Sequence, residues 1–115
     1  MSIIRDKSFQ FSIEVIYLSR RLNEKREFIL SKQILKSGTA IGALVAESEF
    51  AQSKRDFINK LHIALKEANE TKYWLSLLCA THMLSEEEYA NRSNDCQTLI
   101  NILVASINTA KKRSL

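Results

Sequence analysis

No proline interrupts this 115-residue chain, and it contains only two glycines, Gly38 and Gly42. These are the residues that break helices and shape tight turns. A chain so poor in both is a bad candidate for a turn-rich β fold. It reads as long helices joined by short polar links.

The first helix is expected to start near Asp6, a good N-cap, and to run to about Asn23. At 100° per residue its apolar positions fall on two stripes. Phe11, Val15, Leu18 and Leu22 share one face, and Phe9, Ile13, Ile16 and Tyr17 share another. A bundle core needs one stripe, so the second asks to be covered by something else. After a polar link from Glu24 to Glu27, a second helix is expected over Leu30 to Ala51, with Leu30, Ile34, Ile41 and Val45 facing inward. Beside them Gly38, Gly42 and Ala46 recur every four residues, a strip of small side chains suited to tight helix packing. The charges of Lys32, Lys36, Glu47 and Glu49 keep this helix out of a membrane.

Ser53-Lys54-Arg55-Asp56 resembles a capping box and opens a third helix that is expected to reach Met83. Its core stripe is Phe57, Leu61, Ala64, Ala68, Leu75 and Leu78. Ser85-Glu86-Glu87-Glu88 is a second capping box, its acids suited to the positive end of a helix. The fourth helix turns Tyr89, Cys96, Leu99, Leu103 and Ile107 inward and closes on Lys111, Lys112 and Arg113. Short connections make neighbouring helices antiparallel. The expected fold is all-α, an up-and-down antiparallel four-helix bundle forming a single domain over residues 1–115.

The composition, 45% hydrophobic and 26% charged, is that of a folded chain. Met1 to Lys7 leads directly into an amphipathic segment without a signal-peptide pattern, and two cysteines make no disulfide framework. A cytoplasmic location is therefore the expectation. The net charge of +4 and pI near 9.2 permit attraction to nucleic acid or another acidic partner.

A di-metal bundle needs Glu-x-x-His, but Asn59 precedes His62 and Cys79 precedes His82 at that spacing. Cys79, His82 and Cys96 form no complete zinc set, and Cys79 and His82 project onto the core stripe. His62 points away from the core. No Gly-x-Ser-x-Gly elbow or glycine-rich phosphate loop occurs. No metal, cofactor or catalytic residue is expected.

Two kinds of surface stand out instead. Ile63, Glu67, Glu70, Trp74 and Leu77 line a face of the third helix away from its core stripe; with the second stripe of the first helix they suggest a subunit interface. Arg20, Arg21, Lys25 and Arg26 form one basic cluster and Lys111, Lys112 and Arg113 another, at opposite ends of such a bundle. Either could meet phosphate.

The segments Gln33 to Glu47 and Asp56 to Leu75 resemble the 23S rRNA intervening-sequence protein family, and nearly the whole chain shares the likeness. Related to that family is the accessory variability protein of diversity-generating retroelements. The resemblance implies a four-helix bundle assembled into a pentameric ring, basic in character and without enzymatic activity. Its retroelement relatives bind nucleic acid and a reverse transcriptase. Ala40 and Leu44 depart from the pattern, standing where related chains often carry Ser and Asn. The resulting expectation is a homo-oligomer that engages RNA or other nucleic acid. The alternative is a protein-binding adaptor without nucleic-acid contact, and a small-molecule enzyme comes third.

Overall fold

The computed structural model describes residues 2–113. Four helices follow in order: α1 (Ile3–Glu24), α2 (Phe28–Ser48), α3 (Lys54–Ala80) and α4 (Glu86–Lys112). They form an elongated antiparallel bundle, 51 × 22 × 21 Å. No helix among the described residues is long and apolar enough to cross a membrane.

The helix ends explain where the boundaries expected from sequence shift. α1 starts ahead of Asp6 because Ser2 caps it, its Oγ accepting from Arg5 N at 3.3 Å; Asp6 sits in the first turn. α2 starts at Phe28 because the Glu27 carboxylate caps Leu30 N at 3.1 Å, and it ends at Ser48, short of Ala51. Ser53 caps α3 through Asp56 N at 3.0 Å, and the Asp56 carboxylate accepts in return from Gln52 N at 3.2 Å. Ser85 caps α4 through Glu88 N at 3.1 Å.

Two C-termini close in the same unusual way. After α1, Arg26 N donates to Asn23 O and Glu27 N to Leu22 O, each at 2.9 Å. After α3, His82 N donates to Cys79 O at 3.1 Å and Met83 N to Leu78 O at 2.9 Å. Both are Schellman closures, which need a left-handed residue that is commonly glycine. Here Arg26 (φ 65°) and His82 (φ 66°) take that place, each costing about 1 kcal/mol relative to the right-handed region. α3 therefore stops at Ala80 rather than at Met83, and His82 is exposed, not turned toward the core.

The core follows the four expected stripes: Val15, Leu18, Leu22, Ile34, Ile41, Leu75, Leu78, Leu99 and Leu103 are essentially inaccessible. Leu44 packs half-buried against this core. Between α1 and α2 the packing is closer than large side chains allow. A Cβ added at Gly38 would lie 2.8 Å from both methyls of Val15. One at Gly42 would lie 3.1 Å from Ser12 Oγ and 3.2 Å from Ser8 O. Buried serines extend this seam: the Ser19 and Ser31 hydroxyls lie 2.8 Å apart, and Ser31 Oγ also donates to Ser19 O at 3.1 Å. Ala46, expected in the same strip, is exposed on the outside of the helix pair.

α1 packs along α2, α2 along α3, and α3 along α4, while the α1–α4 side is thinly packed. That side holds a small crevice of about 140 Å³ lined by Lys7, Gln10, Glu14, Asp95 and Thr98 above Phe11 and Leu99. Arg92 bridges it, 2.9 Å from Glu14 and 3.5 Å from Asp95.

Candidate nucleic-acid interface and subunit faces

The basic cluster at the end of α1 divides into two pairs. Arg21 reaches across to an ion pair with Glu88 in the first turn of α4, and Lys25 Nζ donates to Met83 O at 3.2 Å. These two cations join the α1–α2 corner to the α3–α4 corner. Arg20 and Arg26 remain exposed and have no carboxylate partner among the described residues. The Arg20 guanidinium lies over the Tyr17 ring, 5.7 Å from its centroid. Lys111, Lys112 and Arg113 close α4 at the other end, beside the α2–α3 corner. The two clusters are thus separated along the long axis, as an up-and-down bundle requires.

The second stripe of α1 faces outward. Phe9 is 68% and Tyr17 50% exposed, while Ile13 and Ile16 are half-buried. Phe9 and Ile16 line a groove of about 820 Å³ that runs over Ser12, Thr39, Gly42, Ala43 and Ala46. A second groove, about 760 Å³, lies between the start of α3 and the end of α4, walled by Phe57, Ile102 and Ala105 with Lys54 and Arg113 at its margin.

On α3, Ile63, Glu67, Glu70, Trp74 and Leu77 are all half-buried. Trp74 packs against the core, so its ring is less available than the sequence suggested. The exposed aromatic of that region is its neighbour Tyr73, edge-on to Trp74 with centroids 5.2 Å apart. Sequence reasoning passed over Tyr73, and also Phe28, Ile29 and Phe50, which are exposed at helix ends.

The three soft ligands do not converge. His82 is exposed, Cys79 half-buried, and Cys96 buried with its thiol donating to Ala68 O at 3.2 Å. Among the described residues no group of three or more His, Cys, Asp or Glu is placed to hold a metal ion. Burial pushes the Cys96 thiol from its usual 9.0 up to about 12, Lys72 opposing and Asp95 reinforcing the shift. A raised acid pKa stabilises the fold below the ordinary thiol pKa, and that contribution is lost as pH rises from about 9 toward 12. In a thiol-reagent titration near neutral pH, Cys79 should react while Cys96 stays silent until the chain is unfolded. Rapid modification of both would overturn this assignment.

An all-α bundle with basic residues at both ends defines a class, and sequence comparison specifies which one. The chain belongs to the 23S rRNA-intervening sequence protein family, whose model matches residues 2–105. It is also similar to a crystal structure at 1.70 Å of a protein of unknown function, from the S23 ribosomal protein family, of Bacteroides thetaiotaomicron VPI-5482. The two share 50% identity with a TM-score of 0.90, over 91% of this chain and 98% of that one. No curated protein matches the chain.

Proposed function

We propose that this protein is a non-enzymatic scaffold that associates with copies of itself, in a ring of five as the family resemblance implies, and holds RNA at its basic ends. The observation that carries the nucleic-acid reading is the division of the α1 cluster. Arg21 and Lys25 are engaged in holding the fold, whereas Arg20 and Arg26 are left exposed and without carboxylates among the described residues. Phosphate is a fitting partner for two such guanidinium groups. The family's name points to ribosomal RNA as the first nucleic acid to try. The outward stripe of Phe9, Ile13 and Ile16 supports self-association, because so much apolar area is rarely left wet.

The test is light-scattering mass with and without an RNA pool, at low and high salt. The expected result is an oligomer that takes up RNA at low salt and releases it as salt rises. Arg20→Glu with Arg26→Glu should weaken uptake by roughly tenfold to a hundredfold and flatten the salt dependence by about 1.4 in log–log slope for single-stranded RNA. RNA uptake indifferent to both salt and this charge reversal would overturn the reading.

A protein-binding adaptor is the second reading. It is favoured by Glu67 and Glu70, whose carboxylates have no ion-pair partner among the described residues. A basic protein, such as the reverse transcriptase of the retroelement relatives, would suit that flank.

A further inference from the structure

We infer that the basic end of α1 and the start of α2 form a stacking platform for unpaired nucleotides, so that the RNA taken up there is single-stranded. This rests on the nucleic-acid reading above and specifies the form of its ligand.

The argument begins with two rings that the core does not use. Tyr17 is 50% and Phe28 56% exposed. Tyr17 sits one turn before Arg20, whose guanidinium lies 5.7 Å from the ring centroid. Phe28 opens α2 just beyond the left-handed Arg26. Along the chain two exposed cations, Arg20 and Arg26, are therefore flanked by two exposed aromatics, Tyr17 and Phe28. Lys32 stands exposed one turn further along α2.

Arginine alone reads phosphate on duplex and single strand alike. Exposed aromatic rings interleaved with it add something a duplex cannot use, because the faces of paired bases are already stacked on one another. Unpaired bases have free faces and are attracted to rings and guanidinium planes while the backbone follows the cations. The acids nearby do not cancel this arrangement. Glu88 is paired with Arg21, and the Glu27 carboxylate is turned to cap Leu30 N, while Glu86 and Glu87 stand exposed in the first turn of α4. Glu24 is the exposed acid nearest in sequence to the two arginines, and Glu24→Gln should strengthen binding.

The experiment uses the full chain and a 12-nucleotide oligo-adenylate, with an RNA duplex of the same length as comparison. A 2-aminopurine replaces one base to report stacking. The single strand should bind more tightly than the duplex, and its fluorescence should be quenched in the complex. Tyr17→Leu and Phe28→Leu should each weaken single-strand binding roughly tenfold, relieve the quench and leave the salt slope unchanged. Arg26→Gln should instead lower that slope by about 0.7. Both rings are exposed, so the leucine variants are expected to keep the parent helicity and melting temperature.

Equal affinity for duplex and single strand, with both leucine variants silent, would overturn the platform and leave phosphate binding intact. Absence of RNA binding by the unaltered protein at low salt would overturn both. Leucine variants that change particle mass instead of RNA affinity would assign the rings to a subunit contact and overturn the platform.

Discussion

Replacing Gly38 by leucine is expected to destabilise the bundle by about 3 kcal/mol. Even the first added carbon would lie 2.8 Å from both Val15 methyls, and Val15 is 1% exposed. Valine is stiff about χ1 in a helix, so it cannot swing aside without leaving its rotamer. The milder Gly38→Ala change sets two effects against each other. Alanine favours the helix by about 1 kcal/mol, and the overlap costs about 2 kcal/mol, so a net loss is expected. Pairing it with Val15→Ala removes the overlapping methyls, and the double variant should lose less than the sum of the singles. Gly42 provides the internal comparison. Its added carbon would meet Ser12 Oγ at 3.1 Å and Ser8 O at 3.2 Å, a tight fit without the 2.8 Å overlap. Gly42→Ala should therefore fall much closer to neutral. Urea unfolding of the five variants measures all of this. A Gly38→Leu protein as stable as the parent would mean that α1 and α2 do not approach as described.

If the protein self-associates as proposed, Phe9→Asp combined with Ile16→Asp is expected to reduce it to monomers. In the isolated chain Phe9 is 68% exposed, so its replacement removes little from the core. Ile16 is half-buried at the groove, and losing it should cost the monomer about 1 kcal/mol. In an interface the same two positions would place carboxylates where apolar surface is buried, a penalty of several kcal/mol for each unpaired charge. Sedimentation should show a monomer that keeps helical circular dichroism. An assembly of parental mass would exclude the outer α1–α2 groove as the subunit contact.

The fold was legible because each helix carries a core stripe at helical spacing and two capping boxes mark where α3 and α4 begin. The corners were less legible for a physical reason. Left-handed C-caps are commonly recognised by glycine, and here Arg26 and His82 fill them, so a sequence reader extends α3 to Met83 and turns His82 inward. The small-residue strip was read on α2 alone, although Ser8, Ser12 and Ser19 complete it from α1 and Ala46 falls outside it. The basic cluster was legible as a cluster but not as two pairs. Which of the four cations is engaged depends on Glu88 and Met83, about sixty residues away in sequence, and single-sequence spacing carries no information about those contacts. Trp74 shows the opposite error: its chemistry suggested an exposed anchor, but the α3 backbone turns it half into the core.

The thin α1–α4 side also bears on how the chain folds. Almost every helix–helix contact joins elements adjacent in sequence, so the loops that must close before packing stabilises them are short. Chains with such local contacts fold fast, in microseconds to milliseconds. The α1–α4 side alone brings the two ends of the sequence together, and Arg92, Glu14 and Asp95 form an ion-pair bridge across it. The bundle is a strip of three successive hairpins rolled into a tube, with a lightly fastened edge where α1 meets α4.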